Sequence, residues 1–257
     1  MASETQTGTP HWIAAGKGPG VLFIHGAGGN AAVWWQQMAY FAANYQCVAY
    51  DLPGFGRSPG VAADQLDQAF SDGALAVMDA AGLEKASVVT QSLGGWAGLR
   101  LALRHPDRVE RLILGCTMAG IAHPPALQSF FDSQKKMDAR GPASVALGQQ
   151  LHAAEPAKEY LYQQLGAFNT PFDPDLAKAV FGPDALIPVE QLKQVKCPVI
   201  IFAGENDAIW PPDALKGLLP HFEEHEAHFH VFKGCGHSPY FEVPDDYNAV
   251  LGVHLSD

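Results

Sequence analysis

The sequence predicts an α/β fold with a mostly parallel sheet covered by helices on both faces, and three observations carry that expectation. Short apolar runs alternate with longer stretches of helical spacing, as strands joined by crossover helices do. The runs are continuously apolar, the pattern of strands buried on both faces. Glycine-rich turns follow several runs directly, at the sheet edge where open α/β folds gather their ligands.

Taken in order, Gly20-Val21-Leu22-Phe23-Ile24 is the first run, ending at His25-Gly26. Residues 33–43 have helical spacing, and 47–51 form the next strand, closed by Leu52-Pro53-Gly54-Phe55-Gly56. Residues 65–81 are helical and Gly82 stops them. Residues 86–90 read as a strand, 94–104 as a helix and 111–116 as a strand. From Met118 to Gln194 the alternation breaks. Helical stretches at 127–140, 144–154, 157–167 and 175–181 are separated by Gly141-Pro142, Glu155-Pro156 and Thr170-Pro171. The sheet resumes at 198–202, a helix follows at 212–219, and 229–232 and 245–253 read as the last strand and last helix. The plan is one α/β domain, residues 1–117 and 195–257, carrying a helical insertion at 118–194.

Composition narrows the function. Lys and Arg total 16 against 27 Asp and Glu, a net charge of −11 with no basic tract. Such a chain is poorly suited to grip nucleic acid or an anionic membrane. Hydrophobic residues at 47% and charged residues at 17% exclude a mainly disordered chain. Cys47, Cys116, Cys197 and Cys235 are far apart and form no C-x-x-C pair, so buried free thiols in a reducing compartment are expected. The sequence opens without a basic segment leading into an apolar one, and no apolar run has the length of a membrane helix. A cytoplasmic protein acting on a small molecule is expected, with neither a nucleic-acid nor a membrane partner. Oligomeric state is not legible.

The chemistry concentrates at strand ends. Val88-Val89-Thr90 runs into Gln91-Ser92-Leu93-Gly94-Gly95 and then a helix, which lifts Ser92 out of the sheet on a sharp turn. A serine hydroxyl is a weak nucleophile and needs a base that is itself oriented by an acid. Among the 11 histidines, His237 follows the last strand directly in Gly234-Cys235-Gly236-His237-Ser238. His228 and His230 share a strand face and read as solvated strand residues rather than metal ligands. His25 is placed to order the loop beside the serine. The acid is expected in Gly204-Glu205-Asn206-Asp207, after the next-to-last strand, and Asp207 is preferred over Glu205 because it lies deeper in the loop. The glycines of His25-Gly26-Ala27-Gly28-Gly29 allow backbone N–H groups to turn inward, so that the amides of Ala27 and Leu93 converge on one oxyanion. The loop lacks the G-x-G-x-x-G and GK[ST] patterns of phosphate cradles.

With these motifs in order, the chain resembles the α/β-hydrolase superfamily over nearly its whole length. His25-Gly26-Ala27-Gly28-Gly29 resembles the oxyanion loop and Asp51-Leu52-Pro53-Gly54-Phe55-Gly56-Arg57-Ser58 the D-x-x-G-x-G-x-S turn. Residues 91–95 resemble the nucleophile elbow, 204–211 the acid loop and 236–237 the histidine loop. The resemblance implies an eight-stranded, mostly parallel sheet with a helical cap between strands six and seven, and a Ser92–His237–Asp207 triad that requires neither cofactor nor metal. Two departures stand out. Thr90 replaces the usual small residue, which implies a more open elbow, and the short segment before Gly20 implies a trimmed first hairpin. Serine at the elbow separates the chain from the dehalogenases and epoxide hydrolases of this fold, which use aspartate. The expected activity is hydrolysis of a small or medium, largely apolar carboxylic ester or lactone, the commonest chemistry of such chains. Carbon–carbon bond hydrolysis of a diketone-like substrate, a lyase or cofactor-independent oxygenase, and a ligand receptor on the same fold are the alternatives. Met118, Phe168, Ile209 and Trp210 are the expected substrate contacts.

Overall fold

A computed structural model describes residues 8–169, 179–182, 185–222 and 227–256. Its sheet has seven strands among the described residues: β1 (Trp12–Ala15), β2 (Gly20–Ile24), β3 (Gln46–Tyr50), β4 (Ala86–Gln91), β5 (Val109–Gly115), β6 (Val199–Gly204) and β7 (Ala227–Phe232). Their spatial order is β1-β3-β2-β4-β5-β6-β7. β1 runs antiparallel to β3, with Trp12 opposite Tyr50, and every other pairing is parallel. Seven strands replace the eight expected, because residues 8–19 hold one short strand and then a glycine-rich turn, with Gly16 and Gly18 at positive φ. β1 pairs with β3 rather than with its sequence neighbour β2, so there is no first hairpin among the described residues. The insertion accordingly falls between β5 and β6.

Side chains alternate across the sheet with period two, and each face builds its own core. Leu22, Ile24, Val88, Leu112 and Ile201 meet α2 (Leu66–Ala80) and α3 (Gly94–Arg104). Val21, Phe23, Val89, Ile113 and Ile200 meet α1 (Trp35–Phe41) and the C-terminal helix. All four cysteines are free and buried, and burial pushes the Cys47 and Cys235 thiols up to about 12 and Cys197 up to about 11. Among the described residues no helix is long and apolar enough to cross a membrane.

The insertion contributes α4 (Pro124–Gln134), α5 (Ala143–Ala146), α6 (Gln149–Ala154) and α7 (Pro156–Ala167). α4 and α7 begin on proline, whose fixed φ and missing N–H suit a first helical turn. The helix expected at 144–154 is broken at Leu147-Gly148, where both residues are extended and Gly148 N is bonded to a glutamate from elsewhere in the chain. The helix expected at 127–140 stops at Gln134. The Thr170-Pro171 break and most of the expected 175–181 helix lie outside the described residues. After the insertion come α8 (Pro212–Lys216), α9 (Pro239–Glu242) and α10 (Pro244–Ser256).

Helix α7 buries none of its residues fully and α4 only two, whereas β4 and β6 are buried along their whole length. Short helices with little buried surface open easily. Amide hydrogen exchange across α4 and α7 is therefore expected to be faster than across β2, β4, β5 and β6. Equal protection would mean that the insertion and the sheet unfold as one unit.

Candidate active site

Ser92 sits at the end of β4 with φ 50°, a left-handed conformation that costs a non-glycine residue about 1–3 kcal/mol. The surrounding structure holds it there. Ser92 N donates to Gly115 O at 2.8 Å, while Ser92 O accepts from Thr117 Oγ1 at 2.6 Å and from Gly95 N at 2.9 Å. Two glycines let the chain pass this closely: a Cβ on Gly94 would lie 2.3 Å from Ile24 O, and one on Gly26 would lie 2.8 Å from Ser92 Cβ. Thr90 fits because Gly98 on α3 leaves room for its methyl group, where a Cβ would come within 2.5 Å. The Thr90 hydroxyl donates to Ile113 O on β5 at 2.9 Å.

His237 lies on the loop after β7 and Asp207 on the loop after β6, and both are buried. His237 Nδ1 donates to Asp207 Oδ2 at 2.8 Å, which leaves Nε2 as the accepting nitrogen. The other carboxylate oxygen, Oδ1, accepts from Ile209 N at 2.8 Å and Trp210 N at 3.0 Å, so backbone donors hold the acid in place. The two loops abut so closely that a Cβ on Gly204 would lie 1.7 Å from Gly236 O. Gln91 Nε2 also donates to His237 O, tying the elbow to the histidine loop. Glu205 is on the surface instead, bonded to Lys233 Nζ at 2.8 Å and Gly234 N at 2.9 Å.

The glycine loop after β2 is braced from two sides. Burial pulls His25 down to about 4, so its ring is neutral. Its Nδ1 donates to Gly26 O at 2.7 Å and its Nε2 accepts from Leu52 N at 2.9 Å, linking the β2 and β3 loops. Asp51 receives Ala31 N at 2.6 Å and Arg57 N at 2.8 Å, and the positive φ of Gly56 brings the chain around that carboxylate. The insertion reaches the same loops through Asn169, which donates to Gly28 O at 2.8 Å and accepts from Gly56 N at 2.8 Å.

Ser92 and His237 line one cavity of about 460 Å³. Residues 26–29 and Leu93 form part of its wall, so the segments carrying the Ala27 and Leu93 amides both border it. Ile209 and Trp210 line it, whereas Met118 and Phe168 do not. Met118 is 0% exposed within the sheet core just after β5, and Phe168 is 76% exposed where α7 ends. The insertion supplies Phe130, Gln134, Met137, Val145, Tyr162 and Phe181 to the wall. Phe130 stacks on Phe181 with ring centroids 4.1 Å apart and on Trp210 at 5.8 Å. Gln91, Thr117, Asn169 and Glu242 leave little signal in the sequence, because each has a partner at least 25 residues away. An acid enclosed by apolar residues in Tyr240-Phe241-Glu242-Val243 was the one available signal.

Cys116, Asp207 and His237 offer ligand atoms within 4.8 Å of one another, the one such group of three among the described residues. Their chemistry does not suit a metal. His237 Nδ1 is committed to Asp207, and burial together with Asp207 pushes the Cys116 thiol well up, keeping it protonated. On β7, His230 packs between Phe202 and Phe232, and His228 lies against the His254 ring.

The profile of the alpha/beta hydrolase family matches residues 21–250. The chain belongs to this family. Among α/β hydrolases, it is 28% identical to a 2-hydroxy-6-oxo-6-phenylhexa-2,4-dienoate hydrolase of Burkholderia cepacia, covering 93% of this chain and 88% of that one. It is 26% identical to a pimeloyl-[acyl-carrier protein] methyl ester esterase of Vibrio atlanticus, covering 95% and 96%. The enol-lactonase of Burkholderia xenovorans LB400 superimposes on all of this α/β hydrolase with a TM-score of 0.79 at 20% identity, over the full length of both chains.

Proposed function

We propose that this protein is a serine hydrolase that cleaves a neutral, largely apolar carboxylic ester or lactone through an acyl-enzyme. The observation that carries this reading is the buried His237–Asp207 hydrogen bond beside the cavity that Ser92 lines. In the proposed reaction His237 Nε2 takes the proton from Ser92 Oγ as that oxygen bonds to the substrate carbonyl carbon. The carbonyl oxygen becomes an oxyanion, received by the N–H groups of Ala27 and Leu93. Collapse breaks the carbon–oxygen bond, and His237 hands its proton to the departing alkoxide. A water then gives its proton to His237 and its oxygen to the acyl carbon, the bond from that carbon to Ser92 Oγ breaks, and His237 returns the proton to Oγ, which releases the acid and restores the serine. Asp207 holds the ring in the tautomer that both half-reactions need.

The walls of the cavity favour an uncharged substrate. Gln134, Tyr162 and Ser238 are polar, the bulk of the surface is aliphatic or aromatic, and no Lys or Arg lines it among the described residues. A dienoate such as the one named for the Burkholderia cepacia relative carries a carboxylate, which is costly to bury without a cationic partner. The reading is tested with a panel of p-nitrophenyl esters, lactones and a vinylogous diketone acid, assayed with wild type and Ser92→Ala. Serine-dependent turnover of neutral esters or lactones is the expected result. Turnover of the diketone acid alone would replace ester cleavage by carbon–carbon bond hydrolysis.

In this reading residues 118–194 are a cap over the core formed by 1–117 and 195–257, and the cap sets which acyl chains enter. Phe181→Ala removes a ring that stacks on Phe130 at the cavity wall. It is expected to lower kcat/KM for a long-chain or aryl ester by about 10-fold or more, with an acetate ester changed only about two-fold. Equal losses for all esters would mean that Phe181 supports the fold and has no part in selection.

A further inference from the structure

Glu242 closes the short helix α9, five residues beyond His237, and is 6% exposed. Its carboxylate accepts from Gly236 N at 3.0 Å through each oxygen, from Ser238 N at 3.1 Å and from Gly148 N at 2.8 Å. Two of these donors flank His237 in sequence, and the third belongs to the Leu147-Gly148 break in the insertion. The contact is tight. A Cβ on Gly236 would lie 2.4 Å from Gly148 N, and one on Gly148 would lie 2.9 Å from Glu242 Oε2. All of these partners are donors, so the site is built for the acceptor-only carboxylate and not for a carboxylic acid.

We propose that Glu242 is a positioning residue for His237, an anion that locks the histidine loop to the insertion and supports the positive charge the imidazole gains during turnover. The inference rests on the reading of His237 as the base. Two buried carboxylates serve the imidazole: Asp207 bonds Nδ1 and fixes the tautomer, while Glu242 grips the backbone on either side of the ring. Burial pushes the Glu242 carboxyl above the usual range, and the N–H groups of Gly236, Gly148 and Ser238 and the charge on His237 draw it back.

The other ionisable groups near Glu242 are Cys235 of the same loop, Tyr240 of α9, Tyr162 and Lys158 of α7, and Cys116 after β5. Burial pushes the three apolar-flanked groups Tyr162, Tyr240 and Cys116 up, and Cys235 up to about 12, so all four are uncharged. Lys158 Nζ donates to the Glu242 carbonyl at 2.9 Å from a partly exposed position. Among the described residues, Asp207 and Glu242 are the buried carboxylates held against the His237 loop, whereas Glu205, which accepts from Gly234 N of that loop, lies at the surface paired with Lys233.

The test is the pH dependence of kcat/KM for wild type, Glu242→Gln and Glu242→Asp. Rates are divided by the concentration of sites that a phosphonate probe titrates at Ser92, so unfolded molecules do not count. The acid limb marks where the imidazole must lose its proton to act as a base, and a nearby anion moves that limb to higher pH. Glu242→Gln is expected to move it down by about 0.5–1 unit and to lower kcat by about 3–10-fold. Glu242→Asp, which keeps the charge but withdraws it, falls between Gln and wild type. A purely structural role would reduce the number of titratable sites and leave the limb in place, so a Glu242→Gln limb coincident with wild type overturns the proposal. If Glu242→Gln yields no titratable sites, an unmoved limb in Glu242→Asp overturns it instead. A wild type that hydrolyses esters without labelling at Ser92 overturns the assignment of the base itself, and this role with it.

Discussion

Ser92→Ala is expected to abolish ester turnover, lowering kcat by roughly 10⁴–10⁶-fold, because the acyl-enzyme loses its attachment atom. The fold should survive the change. The bonds that hold the elbow to Gly115, Gly95 and Thr117 involve the Ser92 backbone, and alanine keeps all of them. Far-ultraviolet circular dichroism and the thermal midpoint should therefore match wild type while activity disappears. A phosphonate or sulfonyl fluoride should add its mass to the peptide containing Ser92 in wild type and to no peptide in the variant. Substantial activity in Ser92→Ala, or labelling at another residue of an active enzyme, would contradict the proposed nucleophile.

Asp207→Asn should lower kcat by roughly 10²–10⁴-fold with little effect on folding. The asparagine oxygen can still accept from Ile209 N and Trp210 N, which are the bonds that shape the loop. Its NH₂ then faces His237 Nδ1 and turns that nitrogen into an acceptor. The proton moves to Nε2, the position from which it blocks uptake of the serine proton. The measurement is kcat beside a thermal melt. A kcat within a few-fold of wild type would sink the assignment of Asp207. Glu205 would not rescue it, because Lys233 and Gly234 N hold that side chain at the surface.

Much of this arrangement was legible because the signals are local. A parallel strand buried on both faces writes a run such as Val21-Leu22-Phe23-Ile24, and a helix stopped by glycine writes Leu83 after Gly82. Glycines at 94 and 236 mark places where backbone passes backbone at distances no side chain allows. β1 leaves no mark in the sequence because it is a four-residue edge strand with one neighbour, too short to show a period. Hydrophobicity alone points Met118 and Phe168 to the pocket. That property says a side chain seeks burial or contact, not which face of the turn or helix looks into the cavity.

The sequence by itself determined the alternating α/β plan, the order of the glycine, serine, acid and histidine loops, and the run of helices between β5 and β6. Each of these depends on residues within a few positions of one another, where backbone sterics and periodicity act. Only the tertiary structure decided that Asp207 rather than Glu205 meets His237, that Gly98 makes room for Thr90, and that Asn169 and Gly148 pin the helices between β5 and β6 to the glycine loop after β2 and to the His237 loop. Those outcomes depend on groups that lie from eight residues apart, for Thr90 and Gly98, to more than a hundred, for Asn169 and Gly28. A hydrogen bond carries no trace in the sequence of its remote partner, so the buried anion at Glu242 acquires meaning only when folding brings the N–H groups of Gly148, Gly236 and Ser238 around it.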